Sequence, residues 1–242
     1  MVAVVEDNPD SKRLVFVMHG LGGFKEQPQI QAIAEAFREK HFTVVTFDTT
    51  NSIGESEGRY EDATATSYYE DLEDIIKWAG NQTWYREPFW LAAHSLSSLC
   101  VALYAEKYPH KVKALAPIST VVSGKLSAQK GEKQGELQKW KETGWEITES
   151  KSKPGVIKRL PWSHMEDRLK YDLLPGAKKL SMPVLLIVGE QDEPEIQKIL
   201  FDALPGPKEL HIIKNAPHAF RDADHLKEIK SIFLNWIDTV EA

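Results

Sequence analysis

The stretch Phe89-Trp90-Leu91-Ala92-Ala93-His94-Ser95-Leu96-Ser97-Ser98-Leu99-Cys100-Val101-Ala102 decides how the rest of the chain is read. A short apolar run ends in small residues around His94-Ser95-Leu96, and an apolar helical pattern follows through Leu103 and Tyr104. This is strand, sharp turn, helix, with a serine at the tip. Such a turn lifts a hydroxyl above a sheet edge, provided the residues two before and two after the serine are small enough not to collide. Here they are Ala93 and Ser97, where glycine stands in the usual Gly-x-Ser-x-Gly pattern. Ser97 and Ser98 are the neighbouring alternatives to Ser95.

Working outward, Leu14-Val15-Phe16-Val17-Met18 reads as a strand buried on both faces of a parallel sheet, and His19-Gly20-Leu21-Gly22-Gly23 follows it directly. Glycines there let backbone approach a ligand, and an N–H from such a loop can face a developing oxyanion. Val184-Leu185-Leu186-Ile187-Val188 is a second buried-strand run, ending in Gly189-Glu190-Gln191-Asp192-Glu193. The strand-like Glu209-Leu210-His211-Ile212-Ile213 leads to Ala216-Pro217-His218. Ser95, Asp192 and His218 thus each fall just beyond the carboxyl end of a predicted strand, the edge where open α/β sheets place their chemistry. Glu190 and Glu193 stand beside Asp192 as alternative acids, and His164 is the rival base. His94 and His19 are expected to be structural, and Asp48 to anchor the Gly54–Gly58 loop.

Strand-like runs near 13–18, 43–48, 89–93, 112–116, 184–188 and 208–213 alternate with helix-like segments at Gln29–Lys40, Ala63–Ala79, Leu96–Tyr108, Glu195–Ala203 and Ala223–Val240. Alternation of this kind predicts an α/β fold built on a mostly parallel sheet flanked by helices, with residues 1–5 as an edge strand. With 242 residues the simplest organisation is one domain, 1–242. The segment 122–176 is too long for an ordinary loop and carries Trp140, Trp145, Trp162 and Tyr171, so it is expected to form a cap over the active edge. Trp162, His164 and Met165 are its candidates to line a substrate pocket.

Composition excludes several classes. The net charge of −6 opposes binding to nucleic acid. Residues 125–159 run the other way, with nine Lys/Arg against five Glu, but the acids are interspersed and a solvated, partly helical insertion is expected. No stretch approaches the ~18 apolar residues a membrane helix needs, so no membrane insertion is expected. The first residues lack the pattern of a signal peptide, and the lone Cys100 forms no internal disulfide, which together point to a cytoplasmic protein. Cys100 itself reads as a small core residue. No His/Cys/Asp/Glu spacing suits a metal, and no metal or cofactor is expected.

Taken together, these segments resemble the α/β-hydrolase superfamily over nearly the whole chain, and within it small carboxylesterases of the cinnamoyl/feruloyl type. The likeness rests on His19-Gly20-Leu21-Gly22-Gly23, on Phe47-Asp48 with Ile53-Gly54-Glu55-Ser56-Glu57-Gly58, and on Glu61-Asp62-Ala63-Thr64. The serine turn, Gly189-Glu190-Gln191-Asp192 and Pro217-His218-Ala219-Phe220 complete it. The resemblance implies an α/β-hydrolase fold with a cap insertion after the sixth strand of the family order. It also implies Ser95 as nucleophile, His218 as base, Asp192 as its orienting acid, and the Leu21 and Leu96 N–H groups as the oxyanion hole. The expected function is a serine carboxylesterase acting on small-to-medium acyl or aromatic, cinnamoyl-type esters, its partner being a small-molecule ester. A peptidase or other acyl hydrolase on the same fold, and a non-catalytic binding protein of this fold, are the alternatives. The physiological substrate and the oligomeric state are not legible in the sequence.

Overall fold

The computed structural model describes residues 1–133 and 135–242; Gln134 and the side chains at 130–133 and 136, within the expected cap, lie outside the described residues. Seven strands form one sheet: β1 (Val2–Glu6), β2 (Leu14–Met18), β3 (Thr43–Asp48), β4 (Phe89–His94), β5 (Val112–Ile118), β8 (Val184–Gly189) and β9 (Lys208–Ile213). Their spatial order is β1-β3-β2-β4-β5-β8-β9. Only β1 runs antiparallel, against β3; every other pairing is parallel.

Alternation within each strand builds two cores. Leu14, Phe16 and Met18 face one side with Leu91, Ala93, Leu115 and Leu186, covered by α2 (Ala65–Ala79), α3 (Leu96–Lys107) and α7 (Pro194–Ala203). Val15 and Val17 face the other side with Trp90, Ala92, Ala116 and Ile187, beneath α1 (Pro28–Glu39) and α8 (Ala223–Glu241). Strands buried on both faces must be apolar throughout, which is why β2 and β8 read as continuous hydrophobic runs. In α1, Ile30, Ile33, Ala34 and Phe37 make the inward stripe, and Phe37 meets Phe233 of α8 edge-on at 5.6 Å.

Between β5 and β8 the chain leaves the sheet. It carries α4 (Gly124–Lys133), α5 (Glu136–Thr143), the antiparallel hairpin β6 (Trp145–Glu149) and β7 (Ile157–Pro161), and α6 (Trp162–Arg168). The hairpin was not foreseen: it is short and largely exposed, Trp145, Ile147 and Ile157 included, so its apolar residues mark no buried face. The ends of this segment clasp one another, with Leu173 N–H donating to Val122 O at 2.9 Å and Gly124 N–H to Tyr171 O at 3.0 Å. It has a small core of its own, made of Ala128, Leu137, Trp140, Leu160 and Met165, which packs on Leu21 and Tyr60 of the main body. Among the described residues no helix is long and apolar enough to cross a membrane.

Candidate active site

All six parallel strands deliver their carboxyl ends to one edge, and Ser95, Asp192 and His218 gather there. Ser95 sits between β4 and α3 with φ 60° and ψ −123°, a conformation that L residues rarely adopt and that surrounding structure must enforce. The enforcement is visible. Ser95 N–H donates to Ile118 O at 2.8 Å, and Ser98 Oγ lies 2.7 Å and 2.9 Å from the carbonyl oxygens of Ala93 and Ile118. Ser97, which replaces the second glycine of the usual pattern, donates its hydroxyl to His19 O. It ties the turn to the loop after β2 and leaves Ser95 Oγ to another partner.

That partner is His218. Its Nε2 lies 2.9 Å from Ser95 Oγ, and its Nδ1 lies 2.7 Å from Asp192 Oδ2. With the Asp192 carboxylate as acceptor, Nδ1 carries the proton and Nε2 is free to accept one from the serine. Burial pushes the Asp192 carboxyl up, but the hydrogen bond from His218 and the charge of that ring outweigh it and hold Asp192 below the ordinary carboxylate range. Glu190 is engaged elsewhere, accepting from Asn215 N–H at 2.8 Å.

The loop after β2 closes as a turn, with Gly23 N–H donating to Gly20 O at 2.9 Å and Gly22 at φ 62°. Gly20 is there because space runs out: a Cβ on it would lie 2.9 Å from Ser95 Cβ and 3.0 Å from His94 O. Among the described residues no acceptor is assigned to the N–H of Leu21 or of Leu96. The Leu96 amide is the first of α3 and has no intrahelical partner. His19 is buried, with Nδ1 2.8 Å from Gly20 O and Nε2 accepting from Thr49 N–H at 3.2 Å; burial lowers its pKa and keeps it neutral. Asp48 anchors the 54–58 loop as expected, accepting from Glu55 N–H at 2.9 Å while Lys25 Nζ holds it at 2.9 Å.

His94 turns away from Ser95 and places Nε2 2.8 Å from His218 O. Burial and the adjacent His218 push its pKa down to about 3, so it is neutral and donates that hydrogen bond. Cys100 is buried, and burial pushes its thiol far above the ordinary range, which suits a packing residue. No group of three or more His, Cys, Asp or Glu that could hold a metal occurs among the described residues.

Two cavities open on Ser95 and His218. The larger, about 500 Å³, is walled by the 20–22 loop, by Thr148–Ser152 and Lys158 of the insertion, and by Arg221. The smaller, about 300 Å³, lies toward Thr120, Ser123, Ser127, Arg168 and Gln197. Trp162, His164 and Met165 line neither of them. Trp162 meets Trp140 edge-on at 5.7 Å, Met165 is buried in the core of the insertion, and Trp140 spends its indole N–H on Leu160 O. A segment with so few apolar residues uses its aromatics to fold itself. His164 is fully buried with both nitrogens engaged, Nδ1 2.8 Å from Ala63 O and Nε2 2.7 Å from Arg168 Nη2. The rival base therefore does not reach Ser95. Among the insertion residues that line these cavities, Arg168 stands one turn beyond His164 on α6; that spacing was the available signal.

The family model for serine aminopeptidases of the S33 type matches residues 9–222. The chain belongs to this family. It is thereby a member of the α/β-hydrolase superfamily, and its sheet order and flanking helices agree. An uncharacterized 31.7 kDa protein in the traX-finO intergenic region of Escherichia coli is 27% identical over 241 aligned positions, covering 85% of this chain and 82% of its own. Among solved structures, Est1E from Butyrivibrio proteoclasticus with bound ferulic acid superposes with TM-score 0.82 at 21% identity, covering 98% of this chain and 94% of its own. Mouse alpha/beta hydrolase domain-containing protein 10 gives TM-score 0.78 at 18% identity, with the same coverage of 98% and 94%. At these identities the two structures establish the shared fold.

Proposed function

We propose that this α/β hydrolase is a serine ester hydrolase. The carrying observation is the unbroken chain from Ser95 Oγ through His218 to Asp192, at 2.9 Å and 2.7 Å, open to two cavities. His218 Nε2 takes the Ser95 proton as Oγ attacks the ester carbonyl; Asp192 fixes the ring and stabilises the imidazolium. The negative oxygen of the tetrahedral intermediate accepts from the Leu21 and Leu96 N–H groups, each such donor being worth about 3 kcal/mol. The imidazolium then protonates the leaving alcohol, and the same ring activates water to release the acid and restore Ser95. No cofactor enters this cycle.

Small-to-medium acyl or aromatic esters are the substrate class, because cavities of about 300 and 500 Å³, walled in part by the 122–176 insertion acting as a cap, suit small ligands. The ferulic acid bound by the structurally similar Est1E agrees with that scale. The family description favours a second reading, removal of an amino-terminal residue from a peptide by the same acyl-transfer chemistry. Ser97 directs its hydroxyl to His19 O and leaves Ser95 Oγ to His218, which favours turnover over a non-catalytic binding protein.

The test is turnover of p-nitrophenyl acetate and butyrate beside aminoacyl p-nitroanilides, with a fluorophosphonate probe mapped by peptide mass. Ester turnover with labelling at Ser95 is expected. Anilide hydrolysis exceeding ester hydrolysis would select the peptidase reading, and a folded protein that neither labels nor turns over would select the binding protein.

A further inference from the structure

The smaller cavity beside Ser95 holds a positive charge that the acyl-transfer cycle does not use. Arg168 ends α6 and lines this cavity with Thr120, Ser123 and Ser127. Its Nη2 donates to His164 Nε2 at 2.7 Å and its Nη1 to Ser127 Oγ at 3.2 Å, while its buried Nε has no hydrogen-bond partner. Among the described residues, the carboxyl groups on the cavity wall are Asp192, which His218 holds, and Glu193 at the start of α7.

Such a charge is expensive. Burial lowers the guanidinium pKa even with Glu146 and the Tyr60 phenol opposing it. Arginine nevertheless stays protonated in proteins, so the cation is held there against its desolvation. His164 is the holding device. Burial and the charge of Arg168 push its pKa down to about 3, so it is a neutral ring. Anchored on Ala63 O, that ring accepts a hydrogen bond from Arg168 without neutralising it. A carboxylate partner in place of His164 would have cancelled the charge; a neutral acceptor aims it and leaves it available.

We propose that Arg168 is a carboxylate receptor, and that the substrate is a small ester bearing a free carboxylate which pairs with Arg168 while its ester carbonyl lies at Ser95. The planar fork of a guanidinium matches a carboxylate, and the hydroxyls of Thr120, Ser123 and Ser127 offer further donors on the same wall. The volume of about 300 Å³ limits that half of the substrate to a short chain. This inference rests on the serine ester hydrolase reading for the position of the ester. The carboxylate belongs either to the acyl half, as in monoesters of short dicarboxylic acids, or to the alcohol half, as in acyl esters of hydroxy acids.

The experiment compares kcat/KM for p-nitrophenyl hydrogen glutarate with p-nitrophenyl valerate, and for carboxymethyl acetate with propyl acetate. At least one charged member should be preferred about 10-fold or more, the size of a charge-assisted hydrogen bond in a desolvated site. The pair that shows the preference identifies which half of the ester enters the cavity. In Arg168→Gln the charged-to-neutral ratio should fall by about 10- to 100-fold. In Lys178→Gln, which removes a cation that lines neither cavity, the ratio should stay within about threefold. A ratio near one for both pairs in the wild type overturns the proposal, as does a ratio unmoved by Arg168→Gln. Should Arg168→Gln not fold, Arg168→Lys should lower the ratio while keeping part of it, and an unchanged ratio there overturns the proposal. A protein that turns over no ester and takes no fluorophosphonate defeats the hydrolase reading alone. The receptor is then tested by calorimetry of methyl hydrogen glutarate and of carboxymethyl acetate on Ser95→Ala. Binding of either that is lost in Ser95→Ala/Arg168→Gln supports it, and absence of binding by both overturns it.

Discussion

His94 Nε2 lies 2.8 Å from the carbonyl oxygen of His218, so the strand that delivers the serine also fixes the loop that delivers the imidazole. The two rings sit 4.8 Å apart. His94→Ala should therefore cut kcat by about 100-fold, the scale of an ångström misplacement, with KM changed much less. His94→Gln, which keeps a donor, should recover part of the loss. Equal kcat in His94→Ala and wild type would remove the positioning role.

The same ring makes the protein sensitive to acid. His94 and His164 are each held near about 3 against an ordinary 6.5, in both cases first by burial. The folded state then binds fewer protons than the unfolded chain between those values, so their contribution is complete above about pH 6.5 and is lost as pH falls toward 3. Urea unfolding at pH 7.5 and pH 5 should show a smaller pH-dependent loss for His94→Gln than for the wild type. An identical loss would show that His94 is not held neutral.

Glu106 works in the opposite direction. Burial pushes its carboxyl up to about 7, Lys179 only partly opposing, and its Oε1 is buried without a hydrogen-bond partner. The folded state keeps a proton that the unfolded chain has released, so stability falls as pH rises from about 4.5 to about 7 and is level above that. Glu106→Gln should raise Tm over the wild type at pH 7.5 by more than it does at pH 5. A difference independent of pH would refute the buried neutral acid.

Ser95→Ala should abolish ester hydrolysis with little change in Tm, because among the described residues its hydroxyl hydrogen-bonds to the exposed ring of His218 alone. His218→Ala and Asp192→Asn should each lower kcat by orders of magnitude. Either one combined with Ser95→Ala should cost little more, since the three act as a unit. Full additivity of the losses would break that unit.

Gly20→Ala tests the fit between the two loops. The added Cβ meets Ser95 Cβ at 2.9 Å and His94 O at 3.0 Å, neither of them a flexible end. We expect kcat to fall by about 10- to 100-fold as the turn is displaced. Wild-type kcat in this variant would show that the serine turn has room to spare.

The sequence by itself determined the sheet and the edge at which the chemistry gathers. Strands buried on both faces, such as β2, β4 and β8, are written as apolar runs, and the small residues after them mark close approach of backbone. Ser95 and Asp192 were legible because each comes within three residues of such a run, and His218 because it follows the strand-like 209–213. The insertion was legible as an interruption between β5 and β8 and not as a structure, because the apolar residues Trp145, Ile147 and Ile157 of β6 and β7 stay exposed and mark no buried face. Which of its side chains meet Ser95 depended on contacts across about a hundred residues, such as His164 with Ala63. Trp162, His164 and Met165 looked available for a substrate, yet folding the insertion consumes them. The place of Arg168 on a cavity beside Ser95 became visible only when the tertiary structure set a neutral histidine beside it, because a charge in a sequence reveals nothing of the partners that will surround it.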